Sequence, residues 1–247
     1  MHYSTVREVL AAVVRGFRGS ARSRKNYVVG ISGIDCSGKS TLAKRISQVL
    51  TQHGIRCVSI SGDDFLLEQK LRNSNPDQAV GYYYESFDYE RLFLDVLAPA
   101  RRHLCFRRRI PESDLLNDSV NEVVLRVHGP CVVLVEGVFL FKRSLPEVFD
   151  YKVWIDLSFD DGLARALRRP RDILHYGSEE KIRDRYVRRL YRGQRLHLEL
   201  DRPAEQCQAL VRADSRGLDV PESWSLPLSS GLWPSHRLIP RMGYVWS

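Results

Sequence analysis

The stretch from residue 27 to residue 41 constrains the fold of this chain more than any other, because three signals follow one another in a required order. Residues 27–32 form a short apolar run rich in β-branched side chains, which predicts a buried strand. Residues 33–40, the glycine loop, fit the pattern G-x-x-x-x-G-K-[ST] at every fixed position, and apolar residues then recur at helical spacing. A strand, a glycine loop and a helix in this order predict a polyphosphate-binding site.

The residue types of the glycine loop each suit that chemistry. Gly33 and Gly38 let the backbone turn and approach a polyphosphate without a Cβ atom in the way. Lys39 is then expected between the β- and γ-phosphates, where Ser40 offers its hydroxyl to Mg²⁺. We expect Lys39 to be exposed and free of core contacts; the alternative is a plain glycine turn with Lys39 solvated. The predicted polyphosphate-binding residues are Gly33, Ile34, Asp35, Cys36, Ser37, Gly38, Lys39, Ser40 and Thr41.

Composition is typical of a globular protein, since 43% of the 247 residues are hydrophobic and 28% are charged. The length allows one large α/β domain or two small ones. No apolar run approaches the roughly 18 residues of a membrane span, and the N-terminus lacks the apolar core of a signal peptide. The five cysteines are scattered without a C-x-x-C pair, which favours neither a zinc site nor disulfides. We therefore expect a cytoplasmic protein without membrane contact.

The net charge of +8 is concentrated in two segments. Residues 165–195 contain eleven Lys or Arg and four acidic residues, and residues 101–109 contain five Arg and no acid. These segments carry +7 and +5, so the remainder of the chain is net negative. Such local excess is expected of arginines that close over phosphates, whereas a nucleic-acid backbone needs a broad basic face. For Arg185 and Arg188, a simple solvated helix face is an equally good interpretation.

Strands alternating with helices predict an α/β fold with a mostly parallel, five-stranded sheet in three layers. The predicted domain spans residues 27–215, after an N-terminal helix and basic linker in residues 1–26. Its arginine-rich, helical lid covers about 160–200, and the Pro/Ser-rich tail 216–247 is expected to be disordered or loosely docked. The predicted strands cover 27–32, 55–60, 131–135, 151–155 and 207–211. The predicted helices cover 4–17, 42–50, 89–97 (stopped by Pro99), 160–174 and 178–200 (joined at Gly177), with a surface excursion at 66–85 and a hairpin or extended loop at 101–121.

Four carboxylates follow predicted strands or precede a predicted helix. Asp63 and Asp64 come directly after the second strand, and Glu136 ends the most apolar strand. Ligands collect at the carboxyl ends of strands in open α/β sheets, so these positions favour a catalytic role for Asp63 and a metal contact for Glu136. The alternatives are a helix N-cap for Asp63 and a solvated strand end for Glu136. Asp88 either contacts a substrate or caps the helix that begins at Tyr89.

Five short blocks follow the glycine loop in a fixed order. They are S-G-D-D-F at 61–65, S-F-D at 86–88, V-E-G-V-F-L at 135–140, an arginine-rich stretch ending in R-D at 165–172, and a segment from Tyr186 to G-Q-R-L at 193–196. Together with the glycine loop, they resemble the uridine kinase-like family of P-loop small-molecule kinases, of the bacterial type. The resemblance covers about residues 27–214, and the ordered set is far more specific than the glycine loop alone.

The resemblance implies a P-loop kinase that uses ATP and Mg²⁺ and transfers the γ-phosphate to a 5′-hydroxyl of a nucleoside such as uridine or cytidine. It implies that the catalytic residues are Asp63, Lys39, Arg169 and Arg171, and that Ser40 and Glu136 hold the metal. It further implies substrate contacts from Asp63, Asp88, Tyr83, Arg165 and Gln194. From the residues alone, the tyrosines 82–84 either stack on a base or pack the loop.

Departures from the family pattern leave the acceptor open. Leu66 stands where an aromatic residue usually follows D-x-F, and Arg192 stands where a proline usually precedes G-Q. The lid also has an extra residue near Pro170, and Asp214-Ser215 replaces the usual ending of the last strand. The expected partner is a small hydroxylated molecule, and a homo-oligomer is also an option. The alternatives to a nucleoside are another hydroxylated acceptor, such as a nucleoside-type natural product or a vitamin precursor, or a P-loop ATPase stimulated by nucleic acid.

Overall fold

Strands and helices alternate along the chain in the computed structural model, which describes residues 2–114 and 117–219. The strands are β1 (Tyr27–Gly33), β2 (Cys57–Ser61), β3 (Cys105–Asp114), β4 (Ser119–His128), β5 (Val132–Glu136), β6 (Tyr151–Asp156), β7 (Ala209–Asp214) and β8 (Gly217–Leu218). The helices are α1 (Val6–Arg22), α2 (Lys39–Gln52), α3 (Gln69–Arg72), α4 (Gln78–Glu85), α5 (Tyr89–Leu92), α6 (Ala98–Arg102), α7 (Phe159–Ala166), α8 (Pro170–Tyr176), α9 (Glu179–Arg185) and α10 (Tyr191–Asp201). Two π-helical turns, Phe93–Leu97 and Tyr186–Leu190, continue α5 into α6 and α9 into α10.

One sheet of six strands forms the centre of the fold, in the order β2-β5-β1-β6-β7-β8. The strands from β2 to β7 in this order are parallel, and β8 runs antiparallel to β7. The predicted α/β fold with a mostly parallel sheet is therefore confirmed, with one strand more than the five expected. The extra strand has only two residues, too few to leave a periodic signal in the sequence. β3 and β4 pair with each other in a separate hairpin. A hairpin was one of the two alternatives predicted for residues 101–121.

The central position of β1 sets the location of the site. All seven of its residues are buried, because a parallel sheet of this kind is covered by helices on both faces. Its pairing with β5 puts Ile31 opposite Glu136, and the pairing of β2 with β5 puts Ser61 opposite Glu136. The glycine loop, Ser61 and Glu136 therefore meet at the same edge of the sheet, the one formed by the carboxyl ends of the strands.

Two prolines act differently from the prediction. Pro99 does not stop the helix that starts at Tyr89, which continues to Arg102. The π-helical turn directly before it shifts the hydrogen-bond register, and this relieves the clash between the proline ring and the preceding turn. The predicted lid helix over 160–174 is in fact two helices, because Pro170 begins α8 at the first-turn position that proline favours. The break at Gly177, with φ of 83°, is confirmed.

Both ends of the described chain pack on the sheet. Helix α1, which starts with a capping box between Thr5 and Glu8, contacts β1 and α2 and belongs to the same core. At the other end, Gly217–Leu218 pairs with β7, so the first residues of the predicted tail extend the sheet. The rest of the tail, residues 220–247, lies outside the described residues, and its loose docking stays a prediction. In residues 2–114 and 117–219, no helix combines the length and the apolarity that crossing a membrane requires.

Asn26, the last residue before β1, connects three parts of the fold. Its Nδ2 donates to Ala100 O at 3.2 Å, to His103 O at 2.9 Å and to Leu104 O at 3.3 Å, and its Oδ1 accepts from Cys131 N at 3.2 Å. The side chain is buried, so these backbone groups have little access to water as a substitute.

Replacing this amide should therefore destabilise the whole domain. We expect Asn26→Ala to lower the free energy of unfolding by about 3 kcal/mol, because it leaves several buried backbone groups without partners. Urea unfolding followed by circular dichroism measures the change. The matched control is Asn121→Ala at an exposed position of β4, for which we expect a change within about 0.5 kcal/mol. Equal unfolding midpoints for the two variants would contradict this role of Asn26.

Candidate functional site

The glycine loop turns from β1 into α2 at two positions that require glycine. The φ of Gly38 is 100°, in the left-handed region that residues with a Cβ rarely adopt. A Cβ on Gly33 would lie 2.7 Å from both Ile155 O and Ser37 Oγ, too close for any other residue. The helix then begins at Lys39, so the unpaired N–H groups of its first turn belong to the loop.

Lys39 is buried, which corrects the expectation that it is exposed. Only 8% of the residue is accessible, and its Nζ donates to Ile34 O at 2.9 Å. The reason is that the glycine loop wraps around the start of α2 and offers one of its own carbonyl groups to the ammonium. Lys39 still lines the cleft beside the loop, where its positive charge faces whatever occupies the cleft.

A cluster of two hydroxyls and one carboxylate lies next to the loop. Ser40 Oγ donates to Glu136 Oε1 at 2.9 Å, and Ser61 Oγ donates to the same oxygen at 3.0 Å. Burial raises the pKa of Glu136, and the charge of Asp63 raises it further, while Lys39 and the two serine hydroxyls act in the opposite direction. Mg²⁺ typically takes one or two carboxylates together with waters and phosphate oxygens. Ser40 and Glu136 have the oxygen atoms for that role, and their contact with a metal stays a prediction.

The cleft beside the glycine loop has a volume of about 400 Å³, within the range of about 300–1,000 Å³ usual for ligand sites. We call it the nucleotide cleft. Its lining includes Asp35, Cys36, Gly38, Lys39, Ser40, Thr41, Asp63, Glu136, Arg165, Arg168, Arg169 and Arg171. Gly33, Ile34 and Ser37 form the inner part of the loop behind it.

The arginine side of the nucleotide cleft is suited to an anion. Among the residues that the structure describes, the Nη1 atom of Arg165 is buried without a hydrogen-bond partner, and burial lowers the pKa of this guanidinium. A buried guanidinium donor without a partner is costly unless an anionic ligand pairs with it. Together with the loop amides and Lys39, this chemistry fits the phosphates of a nucleotide. The structure places Arg165 here, whereas the resemblance had implied a contact with the acceptor.

A second, inner cavity adjoins the nucleotide cleft and shares Asp35, Asp63 and Arg171 with it. Its volume is about 80 Å³. The side chain of Asp63 stands at the junction, with Oδ2 4.0 Å from Arg171 Nη1. Asp35 also belongs to both cavities and accepts hydrogen bonds from Tyr82 Oη at 2.9 Å and from Gln194 Nε2 at 2.5 Å. Two cavities that meet at a carboxylate can bring a donor and an acceptor together.

Asp64 lies in a different environment from its neighbour. Burial raises the pKa of Asp64 to about 7, and the negative charges of Asp63, Glu112 and Glu136 contribute in the same direction. Asp63, by contrast, lines both cavities and has 41% of its side chain exposed. The geometry thus favours Asp63 over Asp64 as the residue that meets a ligand, in line with the prediction.

The other residues implied as substrate contacts make hydrogen bonds within the structure, and their contact with a substrate stays a prediction. Tyr83 is a core residue, and its Oη donates to Asp201 Oδ2 at 2.5 Å; its neighbour Tyr82 is the tyrosine that lines the inner cavity. Gln194 is buried and acts through Asp35. Asp88 caps α5 by accepting from Arg91 N at 2.9 Å, which was the alternative weighed for it. These placements follow from packing that the sequence pattern does not contain.

The structure also adds residues that sequence analysis did not single out. Ser61 was part of a block without a role, and its bond to Glu136 depends on the register of β2 against β5. Arg72 carried no signal, yet it lines the inner cavity. Tyr186 and Asp172 form a buried pair, with Tyr186 Oη 3.2 Å from Asp172 Oδ2, at the same cavity. The positions of Tyr186 and Asp172 within the ordered sequence blocks were the only sequence signal for a role at the site.

Comparison with known proteins agrees with this geometry. The model of the phosphoribulokinase / uridine kinase family matches residues 28–192. A uridine kinase of Leuconostoc citreum is 28% identical over 150 residues, which cover 60% of this chain and 70% of that protein. Of two further relatives, the chain covers 27% of a uridine-cytidine kinase-like 1 of Mus musculus and 75% of a uridine kinase of Borrelia duttonii.

Two solved structures show the same fold. A D-glycerate 3-kinase from Cryptococcus neoformans superposes with a TM-score of 0.64 at 18% identity, covering 89% of this chain and 99% of that one. A possible uridine kinase from Bacillus stearothermophilus superposes with a TM-score of 0.60 at 21% identity, covering 81% and 98%.

The fold and the site define a P-loop kinase, a phosphotransferase that acts on a hydroxyl group of a small molecule. Within that class, the chain belongs to the phosphoribulokinase / uridine kinase family, whose P-loop implies ATP as the phosphate donor. The resemblance found in the sequence is thereby confirmed at the level of the family.

Removing the ammonium of Lys39 should weaken nucleotide binding. A hydrogen bond to a charged group contributes about 1.5–3 kcal/mol, so we expect Lys39→Met to bind ATP-Mg²⁺ at least ~10-fold more weakly. Turnover should fall below detection. The control is Lys44→Met, an exposed lysine of the same helix, which should bind as the wild type does. Calorimetric titration compares the three proteins, and equal affinity for both variants would remove Lys39 from the site.

The raised pKa of Asp64 predicts a specific dependence of stability on pH. Between about pH 4 and pH 7, Asp64 binds more protons in the folded protein than in the unfolded chain, so the contribution of this group to stability falls as the pH rises. From pH 5 to pH 8, the wild type should lose about 2–3 kcal/mol more than Asp64→Asn, which lacks this proton. Urea unfolding in EDTA at several pH values tests this. Parallel pH profiles for the two proteins would contradict the environment described for Asp64.

Proposed function

We propose that this chain transfers the γ-phosphate of ATP to a hydroxyl of a nucleoside-type acceptor, with a 5′-hydroxyl like that of uridine or cytidine as the first candidate. The observation that carries the proposal is the position of Asp63, where the nucleotide cleft and the inner cavity meet. A donor phosphate in one cavity and an acceptor in the other would have this carboxylate between them.

Asp63 would align the acceptor hydroxyl and take its proton late in the transfer. A hydroxyl is a poor nucleophile at neutral pH, so its alignment with the γ-phosphate matters more than its charge. Arg171, 4.0 Å from Asp63 Oδ2, gives the carboxylate a cationic neighbour on the exposed side of the junction. Bringing reactants into line is the main contribution that a protein makes to such a reaction.

The cations around the cleft would stabilise charge on the transferring group. Lys39, Arg169 and Arg171 line the nucleotide cleft, and positive groups fixed in this way stabilise developing negative charge without reorganising. When bound, Mg²⁺ neutralises phosphate charge, and Ser40 and Glu136 are the residues that would hold it. Arg165 and Arg168 complete the arginine side of the cleft.

The assignment of a nucleoside as the acceptor rests on likeness. The ordered blocks resemble those of uridine kinases, and several relatives are described as uridine or uridine-cytidine kinases. The likeness to a D-glycerate 3-kinase supports the fold alone, so another hydroxylated acceptor is the second candidate. Incubation with ATP-Mg²⁺ and a panel of nucleosides, sugars and hydroxy acids, followed by mass spectrometry, distinguishes the two. Hydrolysis of ATP stimulated by RNA or DNA, without a phosphorylated small molecule, would instead overturn the proposal.

Asp63→Asn should slow phosphate transfer to the acceptor and leave nucleotide binding intact. The substitution keeps the shape of the side chain but removes the charge, so we expect turnover to fall by at least ~100-fold, the usual scale for loss of a general base. The affinity for ATP-Mg²⁺ should stay near that of the wild type. Turnover with the best acceptor of the panel and calorimetry with the nucleotide provide both values.

The adjacent carboxylate serves as the control for this variant. Asp64→Asn carries the same chemical change one residue along the chain, and we expect it to lose much less turnover because Asp64 lines neither of the two cavities. If Asp64→Asn is the inactive variant, the roles of the two residues are exchanged. If both variants lose ATP binding, these carboxylates serve the metal rather than the acceptor.

A further inference from the structure

A large surface groove continues from the inner cavity on the side away from the glycine loop. We call it the basic groove; it shares Arg72, Tyr176, Arg185 and Arg189 with the inner cavity and has a volume of about 1320 Å³. Its remaining lining consists of Gln69, Pro76, Asp77, Gln78, His175, Glu180, Lys181, Asp184, Arg188 and Arg192. The nucleotide cleft, the inner cavity and the basic groove therefore follow one another. Asp63 lies where the cleft meets the inner cavity, and Arg72, Arg185 and Arg189 lie where the inner cavity meets the basic groove.

The charges of the basic groove do not balance within it. Six cationic residues line it against three acidic ones. Arg188 pairs with Asp184 at 2.5 Å, and Arg192 pairs with Asp77 at 3.0 Å, which consumes two of the three acids. In the part of the chain that the structure describes, neither Arg185 nor Arg189 makes an ion pair. Arg185 donates a hydrogen bond to Gln78 Oε1 at 3.4 Å and makes another with the side chain of Tyr176, and both partners are neutral.

Arg189 is a buried cation held in place by neutral groups. Only 2% of the residue is accessible. Its Nη2 donates to Arg72 O at 2.9 Å and to Ser86 Oγ at 3.3 Å, and its Nη1 donates to Asn73 Oδ1. The guanidinium also lies over the ring of Tyr82, with 5.7 Å between its Cζ and the ring centroid. Its charge is thus fixed at the wall of the inner cavity without an ion pair among the described residues, although Asp35, Asp63 and Asp172 also line that cavity.

Three donors at the junction of the two cavities have no partner. The Nε atoms of Arg72, Arg185 and Arg189 are all buried and make no hydrogen bond among the described residues. Burial, and then the charges of Arg185 and Arg72, lower the pKa of Arg189 to about 10. Burial and the same two arginines also lower the pKa of His175. Burial is the larger cause of both shifts, and the positive charges add to it. Arg72 pairs with Asp118 at 3.0 Å, so Arg185 and Arg189 are the charges that an anion would offset.

We propose that the acceptor of this kinase carries an anionic group, a phosphate or a carboxylate, which Arg185 and Arg189 bind at the junction of the inner cavity and the basic groove while the acceptor hydroxyl meets Asp63. The proposal rests on the proposed function, because it assigns the anion to the molecule that is phosphorylated. Arginine is the side chain that recognises such groups best, since its planar fork matches the oxygens of phosphate and carboxylate.

The size of the inner cavity supports the same arrangement. At about 80 Å³ it is much smaller than the roughly 300 Å³ at which ligand pockets begin. An acceptor that reaches Asp63 therefore extends beyond this cavity. The nucleotide cleft lies on one side, so the free direction is toward Arg72, Arg185 and Arg189 and the basic groove.

Pairs of acceptors that differ in one anionic group test the proposal. Uridine is compared with uridine 3′-monophosphate, and glycerol with glycerate, by kcat/KM at saturating ATP-Mg²⁺. We expect the anionic member of the productive pair to be preferred by at least ~10-fold. Arg185→Gln should remove most of this preference by raising the KM of the anionic member, with little change for the neutral one. Arg183→Gln, an exposed arginine on the same helix, is the matched control and should keep the preference.

A binding measurement makes the test independent of turnover. With the nucleotide cleft filled by a non-hydrolysable ATP analogue and Mg²⁺, inorganic phosphate is titrated calorimetrically into the wild type, Arg183→Gln and Arg185→Gln. We expect binding to be at least ~10-fold weaker in Arg185→Gln alone. Because Arg185 is half-exposed and Arg189 is buried, the variant at Arg185 spares the folded core.

The outcomes separate this proposal from the proposed function. If neutral and anionic acceptors are used equally well, or if Arg185→Gln keeps the full preference, the anion subsite is wrong while the kinase activity stands. If no acceptor of either pair is phosphorylated, the proposed nucleoside function loses support. The calorimetric titration with inorganic phosphate then tests by itself whether the anion subsite exists. Phosphate that binds equally to Arg183→Gln and Arg185→Gln, or to neither variant nor the wild type, would overturn it.

Discussion

The site depends on one carboxylate that the sheet keeps buried. Glu136 ends β5 beneath the glycine loop, and an ionised carboxylate in such a place is tolerated only when hydrogen bonds compensate for the lost water. Ser40 supplies one bond from the start of α2, and Ser61 supplies another from the end of β2. A single acidic side chain thus connects the phosphate-binding helix to the neighbouring strand. The register that brings β2 and β1 against β5 is what makes both bonds possible.

Three nearby carboxylates have the same chemistry but lie in different surroundings. Glu136 is buried with hydroxyl partners, Asp64 is half-buried among like charges, and Asp63 lies at the junction of two cavities with 41% of its side chain exposed. Burial and like charges favour the protonated form of a carboxyl group. Asp64 therefore takes up a proton near neutral pH, while Asp63, one residue earlier, lines both cavities. Such divergence among adjacent groups is typical of functional sites.

The arginines of the lid serve several purposes that their clustering in the sequence conceals. Arg165 and Arg169 line the nucleotide cleft, Arg188 pairs with Asp184, and Arg189 is buried against the segment that carries Tyr82. From the sequence, the stretch was predicted to be a phosphate-binding lid, with a solvated helix face as the alternative for Arg185 and Arg188. Helical spacing predicts which residues share a face, but the partner of that face comes from elsewhere in the chain. Only packing of the lid on the 66–85 excursion separates these roles.

The glycine loop, the alternation of strands and helices and the ordered blocks were sufficient, without coordinates, to determine the family and the α/β sheet. These are local signals: a φ of 100° at Gly38 needs glycine, and a fully buried strand such as β1 needs an unbroken apolar run. The tertiary structure alone decided that Lys39 is buried, that Tyr83 is a core residue, and that Asp63 rather than Asp64 meets the cavities. The physical reason is that burial and charge compensation depend on groups distant in sequence, and periodicity does not encode which of them come into contact.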